Sequence, residues 1–581
     1  MDAFFDQVVE KSATLSVDRG LHLYSGRGKG FRFIPYHSFL AVAQQLGDQW
    51  YPVRPVRREV VLIGYRHPGP ALLAFFAALS AGTIPLILPS PKVAGGSADF
   101  LSGLKAWIGR FRGRCRVAAE EGLLPDSDRF EGVALGTIPT EPEFPDTHVR
   151  TAQGGDARRP EEIAFLQCTS ATTGEGKLVA ISNANILCNL KAIRSAVSAG
   201  ENESVVSWLP LYHDMGLVGT TLFSFYHGYS LYLMGPFDFL KQPLFWIKAI
   251  SDFRCTLTAA PNFGFDFAER NIRSRDLEGL NLSSIKGAFL GAEPIRHETV
   301  SRFVTKFAPY GFSSSSILPC YGLAEATLAA AVDSPFSPPR YVDVEPKRLE
   351  MGKPVSVLSK GSVAFGTPGR NTLEGTAVFC EGRTVEGLEL DIVGEDGLPI
   401  PESGRLGEIR LRGNSISGGY LNPETMEVEA FAGGQIKTGD LGFILENELF
   451  VLERKKNIII RNGQNFPCAF LEERVAEILG LSPHEVMVLE TDLHLDTKVI
   501  AVVENHSGTT DIPESEIVRF SELDVHISEI RYFQKRVIPR TTSGKKKYFL
   551  ARQKFAIAGS LESISIYLMK GAEEKKGAKE K

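Results

Sequence analysis

The chain has 581 residues, 43% apolar and 23% charged, the proportions of a soluble globular protein with length for several domains. Its formal net charge of −5 at pH 7 argues against a nucleic-acid partner and against general attraction to anionic membrane. Cys115, Cys168, Cys188, Cys255, Cys320, Cys380 and Cys468 are scattered, odd in number and never spaced Cys-x-x-Cys, which points to a reducing, cytoplasmic setting and away from structural zinc.

The N-terminus, Met-Asp-Ala-Phe-Phe-Asp-Gln, lacks the basic and apolar regions of a secretory leader. Residues 70–91 are nearly uncharged, but Gly82 and Pro85 divide them into a buried helix (71–80) and a strand (84–88), so no stable membrane insertion is expected. Residues 21–24 and 31–34 read as a hairpin around a glycine turn. Gly26, Gly28 and Gly30 do not make a dinucleotide fingerprint, because no helix follows directly. A helix over 38–49, a strand over 60–65, then the helix and strand just named alternate as βαβ units do. That pattern predicts an α/β fold with parallel sheets covered by helices. Residues 90–160 are weakly patterned and read as a peripheral layer followed by a long connection.

The stretch 163–183 is the most informative. An apolar strand (163–166) empties into Thr169, Ser170, Thr172, Thr173, Gly174 and Gly176 and ends at Lys177. A second strand (178–181) follows, then a helix whose N-cap is expected at Asn183 or Asn185. Hydroxyls and free N–H groups on a tight loop cradle an anion, and a lysine adds a point charge, so phosphate binding is implied. A Walker A loop is excluded: Ala171 stands at its first glycine, Leu178 at its Ser/Thr, and a strand rather than a helix follows.

Further on, strand 204–209 runs into Pro210-Leu211-Tyr212-His213-Asp214-Met215-Gly216-Leu217. His213 and Asp214 form either a buried hydrogen-bonded pair or a functional one; their place at a strand's C-terminal end, where ligands of open α/β sheets collect, favours function. The apolar, aromatic segments 229–234, 237–240 and 244–250 are core or the wall of an acyl pocket. Strands 255–259, 286–290 and 317–320 end in Ala260-Pro261-Asn262-Phe263, Gly291-Ala292-Glu293-Pro294 and Tyr321-Gly322-Leu323-Ala324-Glu325. Small residues there let a planar ring lie against backbone, and Tyr321 is able to stack on it. Glu325 either ligates Mg²⁺ beside nucleotide phosphates or caps a helix.

Phosphate loop, LPLYHDMGL (209–217), APNF, GAEP and YGLAEATL (321–328) stand in the order and approximate spacing of the acyl-activating, adenylate-forming enzymes, and resemble most the fatty acyl-AMP ligase branch. The resemblance implies that Thr169, Ser170, Thr172, Thr173, Gly174 and Lys177 hold ATP phosphates. It puts Gly291, Ala292, Glu293, Tyr321 and Gly322 around adenine, Glu325 near Mg²⁺, and His213 between nucleotide and acyl group. A segment near 333–375, Pro/Ser/Gly-rich here, carries in that branch an insertion proposed to hinder domain rotation. Strands at 389–393 and 407–412 suggest a β subdomain, with Gly418-Gly419-Tyr420 in it. Segments 436–443 and 449–456 resemble the family's TGD and GRxKD motifs, which implies that Asp440 and Arg454 bind ribose. Pro539-Arg540-Thr541-Thr542-Ser543-Gly544-Lys545 resembles its catalytic-lysine loop, which implies that Lys545 bridges carboxylate and α-phosphate.

The expected organisation is an adenylation domain over 1–455, a small mobile α+β domain over 456–560 and a disordered tail over 570–581. The expected reaction joins a fatty or related carboxylic acid to ATP, with Mg²⁺, giving acyl-AMP and pyrophosphate. The acyl group would then pass to an acyl carrier protein in trans, since the chain holds no carrier-type Asp-Ser-Leu segment. An acyl-CoA synthetase and a non-catalytic nucleotide-binding homologue are the alternatives. Departures from the family pattern are Ala171 and Gly176 in the phosphate loop, Glu453 for a glycine, Asn457 for an aspartate, a loose match over 461–467, and Lys547 for an arginine. Those at the hinge bear on the second half-reaction.

Overall fold

The computed structural model describes residues 3–26, 30–53, 55, 58–91, 96–120, 123–124, 134–135, 138–139, 141–145, 149–150, 159–169, 176–367, 375–461, 464–493, 496–504, 518–520, 523, 525–533, 536–541, 545–555 and 565–568. The strand Val60–Gly64 is buried along its whole length, as a strand covered on both faces must be. It lies between Ile84–Ile87 and Cys115–Ala119, parallel to both. Helix Pro68–Ser80 covers it and is apolar nearly all round, so it is buried rather than amphipathic. Residues 90–160 therefore hold more than a peripheral layer: helix Ser97–Arg110 and the edge strand Cys115–Ala119 belong to the sheet. Cys-Arg-Val-Ala-Ala is too short and too weakly alternating to announce a strand; pairing with Val60–Gly64 makes it one.

This sheet continues through Ile163–Cys168, antiparallel Leu178–Ser182, and then Gly419–Leu421 from far along the chain. The helix after Leu178–Ser182 runs Asn183–Ala196, and its N-cap is Ser182 rather than Asn183 or Asn185. Ser182 Oγ accepts from Asn185 N–H while the Asn185 side chain returns to Ser182 N–H, a reciprocal capping box. Asn185 also donates to the carbonyls of Asn414 and Ile416, tying this helix to the later β region.

Among the described residues the larger sheet has a parallel centre: Ser230–Leu233, Ser204–Ser207, Leu257–Pro261, Gly287–Gly291 and Ile317–Gly322. Beyond Ile317–Gly322 it turns antiparallel through Ala329–Val332, Thr376–Thr384, Glu448–Arg454, Gln435–Leu445, Gly407–Gly413 and Leu388–Val393. The hairpin Gly20–Tyr24 and Phe31–Pro35 closes its other edge. The aperiodic stretch near 340–362 is a β-arm, Arg340–Val344 and Val357–Ser362, and Leu349 in its turn accepts from Asn465 Nδ2 at 2.6 Å. The tail at 570–581 lies outside the described residues.

After Arg454 the chain builds a small hairpin, Ile458–Arg461 and Gln464–Pro467, the helix Cys468–Ile478 and a mixed sheet of Val486–Leu493, Asp496–Glu504, Glu529–Phe533 and Ser565–Leu568. Leu471 and Val475 of that helix pack with Val488, Val499, Ala501 and Ile530 in an apolar cluster of their own. A separate core is what lets such a segment behave as a unit. None of the described helices is long and apolar enough to cross a membrane.

Candidate active site

Three strands of the larger sheet build one side of the site. Asp440 on Gln435–Leu445 is the direct cross-strand partner of Arg454 on Glu448–Arg454. Arg454 Nε stands 3.0 Å from Asp440 Oδ1, and the Tyr321 hydroxyl donates to Oδ2 at 2.7 Å. Thr438 Oγ1 accepts from Asp440 N–H and fixes the turn. Burial, then the Asp440 charge, drive the Tyr321 phenol well above its ordinary range, so it stays a donor. Gly291 and Gly322 lie where no side chain fits: a Cβ would come within 2.3 Å of Cys320 O and 2.1 Å of Leu328 O respectively. Ala292 holds φ +71°, a left-handed conformation costing about 1 kcal/mol for a residue with Cβ.

The second side begins where the phosphate loop closes, Thr169 N–H donating to Lys177 O at 2.9 Å and Lys177 N–H to Thr169 Oγ1 at 3.2 Å. Ser170, Ala171, Thr172, Thr173 and Gly174 lie outside the described residues. Glycine at 176 has a steric reason, since a Cβ there would meet Cys168 Sγ at 2.3 Å. Lys177 Nζ sits 4.3 Å from the centroid of the Tyr420 ring, and the Tyr420 hydroxyl donates to Glu325 Oε1 at 2.7 Å. Glu325 caps no helix; it lies in the short turn Ala324–Ala326 ahead of an antiparallel strand. The sequence put Tyr420 in the β subdomain without a role; its strand instead pairs with Leu178–Ser182, a partner that only the folded chain reveals.

Among the described residues Glu325 Oε2 has no hydrogen-bond donor. One oriented and one open carboxylate oxygen beside a phosphate loop suit Mg²⁺, which takes few protein ligands and completes its shell with phosphate and water. The cluster of Asp333, Cys380 and Glu448 has metal-ligand spacing but holds the Arg340 guanidinium, which pairs with both carboxylates.

His213 follows strand Ser204–Ser207, with Nδ1 2.7 Å from Asp214 Oδ1. Asp214 accepts from Met215 N–H at 2.7 Å and caps a π-helix, Met215–Leu222, a form enriched at functional sites. Behind it Trp208 stacks on Phe239 at 3.9 Å and meets Trp246, all three buried in one cluster with Met215. Much of these aromatic segments is therefore core, although Leu240 is exposed, and that core reaches the strand end carrying His213.

Lys545 enters from the C-terminal part. Its N–H donates to Thr541 Oγ1 at 3.0 Å and its carbonyl accepts from Thr541 N–H at 2.6 Å. Burial pulls its ammonium below the ordinary lysine range and Arg454 adds to this, while Asp214, Glu293 and Asp440 oppose it. Four residues of the larger part, all of them named from the sequence, thus surround it electrostatically. Asp214 is held below its usual range by His213 and Lys545, although burial, the largest influence, pushes it up. Burial raises Glu293, which accepts from Phe263 N–H. A cavity of ≈ 990 Å³ opens between the two parts, with Ala292, Glu293, Arg454 and Lys545 in its wall and Phe263 stacked on His484 across it at 5.2 Å.

The hinge departures compensate one another. Glu453 accepts from Arg454 N–H at 2.9 Å, Asn457 Nδ2 at 3.3 Å and Ala469 N–H at 3.4 Å. Asn457 supplies a donor that an aspartate lacks. Burial raises Glu453 to about 7.

Residues 121–421, more than half of the chain, match the AMP-binding enzyme family. The chain belongs to that family. Across 91% of its length it is 28% identical to a putative acyl-CoA synthetase of Caulobacter vibrioides, covering 91% of that protein. It is also 28% identical to TtuA of Teredinibacter turnerae, a medium-chain-fatty-acid–[acyl-carrier-protein] ligase, over 68% of this chain and 64% of that one. The fold matches a solved chain from studies of fatty acyl-adenylate ligases of E. coli and L. pneumophila, with a TM-score of 0.80, 25% identity, and 96% and 98% of the two chains covered. Family membership accounts for a cleft suited to an adenosine nucleotide.

Proposed function

We propose that this AMP-binding enzyme joins a fatty acid to ATP, forming acyl-AMP and pyrophosphate, and then passes the acyl group to an acyl carrier protein supplied in trans. The observation that carries the reading is the gathering of Lys545 with Asp214, Glu293, Asp440 and Arg454 at one cleft. In this reading Asp440 accepts from the ribose hydroxyls, with Arg454 and Tyr321 holding its carboxylate still. Gly291, Ala292, Glu293 and Gly322 leave a flat slot for adenine. Thr169, Ser170, Thr172, Thr173, Gly174 and Lys177 hold the phosphates.

Lys545 reaches the carboxylate and the α-phosphate together, offsetting charge as the mixed anhydride forms; His213, oriented by Asp214, borders the acyl group. Glu325 would hold Mg²⁺, which neutralises phosphate charge when bound. Catalysis is then mostly positioning and charge stabilisation. Residues 1–455 act as the adenylation domain and 456–560 as the moving part, in the cytoplasm. Likeness to a carrier-protein ligase and to fatty acyl-adenylate ligases supports the substrate and acceptor.

The test is acid-dependent pyrophosphate release with Mg²⁺-ATP across fatty acids of increasing length, followed by transfer to carrier protein or CoA. Thioester on carrier protein is expected. Thioester on CoA alone would overturn the acceptor, and no acid-dependent release across the panel would overturn the reaction.

A further inference from the structure

Lys546, next to the lysine proposed to carry the chemistry, is a buried cation: its side chain is 8% exposed and that of its partner Glu472 1%. All three donors of its ammonium are taken, by Glu472 Oε2 and by the carbonyl oxygens of Pro483 and Val486. Glu472 is saturated in turn. Its Oε1 accepts from the Tyr548 hydroxyl at 2.7 Å and Val488 N–H at 3.3 Å. Its Oε2 accepts from Lys546 and, at 3.5 Å, from Nη2 of Arg296. A carboxylate offers about four lone-pair sites, and a buried one left partly unmet is destabilised.

The fourth donor comes from the other part of the molecule. Arg296 follows the turn that carries Gly291, Ala292 and Glu293, and its N–H is fixed on Asn262 Oδ1 at 3.0 Å. Its Nε also lies 3.8 Å from Glu473 Oε1. We propose that Glu472 and Lys546 are positioning residues which, clasped by Arg296, set Lys545 in the cleft for adenylation. The proposal rests on the role given to Lys545 above. One peptide unit separates the two lysines, so anchoring Lys546 at three points fixes where the Lys545 side chain starts, and Thr541 holds the other side of the loop. Glu472 gains its full set of donors only when the two parts face each other as they do here. Placement of the lysine and closure of the cleft are therefore one event.

The test uses Glu472→Gln, Lys546→Met and Arg296→Met in the full chain. Each is expected to lower kcat for acid-dependent pyrophosphate release about ten- to hundred-fold with the ATP KM within about two-fold, since misplacing a reacting group by about 1 Å costs about 10²-fold. A second readout needs no turnover: acetylation of Lys545 by acetic anhydride, followed by mass spectrometry, rises in each variant relative to exposed Lys105. Arg296→Met lies outside the C-terminal core and keeps the test open if the other two variants misfold. Unchanged kcat and Lys545 labelling in Arg296→Met would overturn the clasp, as would an ATP KM rising in step with the fall in kcat. Wild-type protein without acid-dependent turnover would sink the functional reading instead, and labelling alone would then decide the clasp.

Discussion

The two ends of the cleft are stabilised in different ways. At the Asp440 end, Asp440 and Arg454 are cross-strand partners and Tyr321 reaches Asp440 from another strand of the same sheet. At the lysine end the partners come from both parts of the chain: Arg296 meets Glu472, and Phe263 meets His484. The first end is preorganised by β-pairing; the second exists only in one arrangement of the parts. A preorganised end suits binding, and a conditional one suits a step that must be switched on and off.

The largest effect expected is at the conditional end. Lys545→Ala should lower kcat for pyrophosphate release about 10²–10³-fold, as loss of a preorganised charge contact does. Calorimetry should find ATP binding nearly intact; a parallel loss of affinity would make the two ends one. Asp440→Ala should do the reverse, weakening ATP by about 1.5–3 kcal/mol, about ten- to hundred-fold, because Tyr321 and Arg454 lose their acceptor as well. Nucleotide titration measures this directly.

Tyr420→Phe keeps the ring beside Lys177 but drops the hydrogen bond to Glu325. About two- to ten-fold more Mg²⁺ should be needed to saturate ATP binding, with Tyr420→Leu worse because the cation–π contact goes too. Identical behaviour of the two variants would show that the hydroxyl alone matters and the ring contributes nothing.

The smallest effect is a matter of pH at the hinge. Burial raises Glu453 from 4.5 to about 7. Over that interval the folded state holds a proton that the unfolded state has released. Its contribution is therefore fully present below 4.5 and is lost as pH rises towards 7. Glu453→Gln should flatten the dependence of Tm on pH between about 5 and about 7. Equal slopes in variant and wild type would mean that the carboxyl is ionised throughout.

Legibility in the sequence followed the range of the interaction. The hairpin at 21–34, the central strands and the small-residue turns were readable, because alternation and glycine sterics act between near neighbours. Local chemistry also misled: Asn183 and Asn185 looked like caps, yet Ser182 one position earlier makes the reciprocal pair with Asn185. Glu453 and Asn457 read as two separate defects and fold into one hydrogen-bonded unit. Strand Cys115–Ala119 was invisible because only its partner defines it.

By itself the sequence determined the family and nominated the motif residues of the candidate site, since each motif is a short run whose order along the chain survives without folding. Tertiary structure decided which residues support that site. Tyr420 reaches Glu325 across 95 positions and Arg296 reaches Glu472 across 176. Neither pair leaves a periodic or motif signal, because a hydrogen bond between distant segments constrains only the two side chains it joins. The fold, by bringing separate sheets and the C-terminal part to one cleft, supplies the distance that gives those residues their roles.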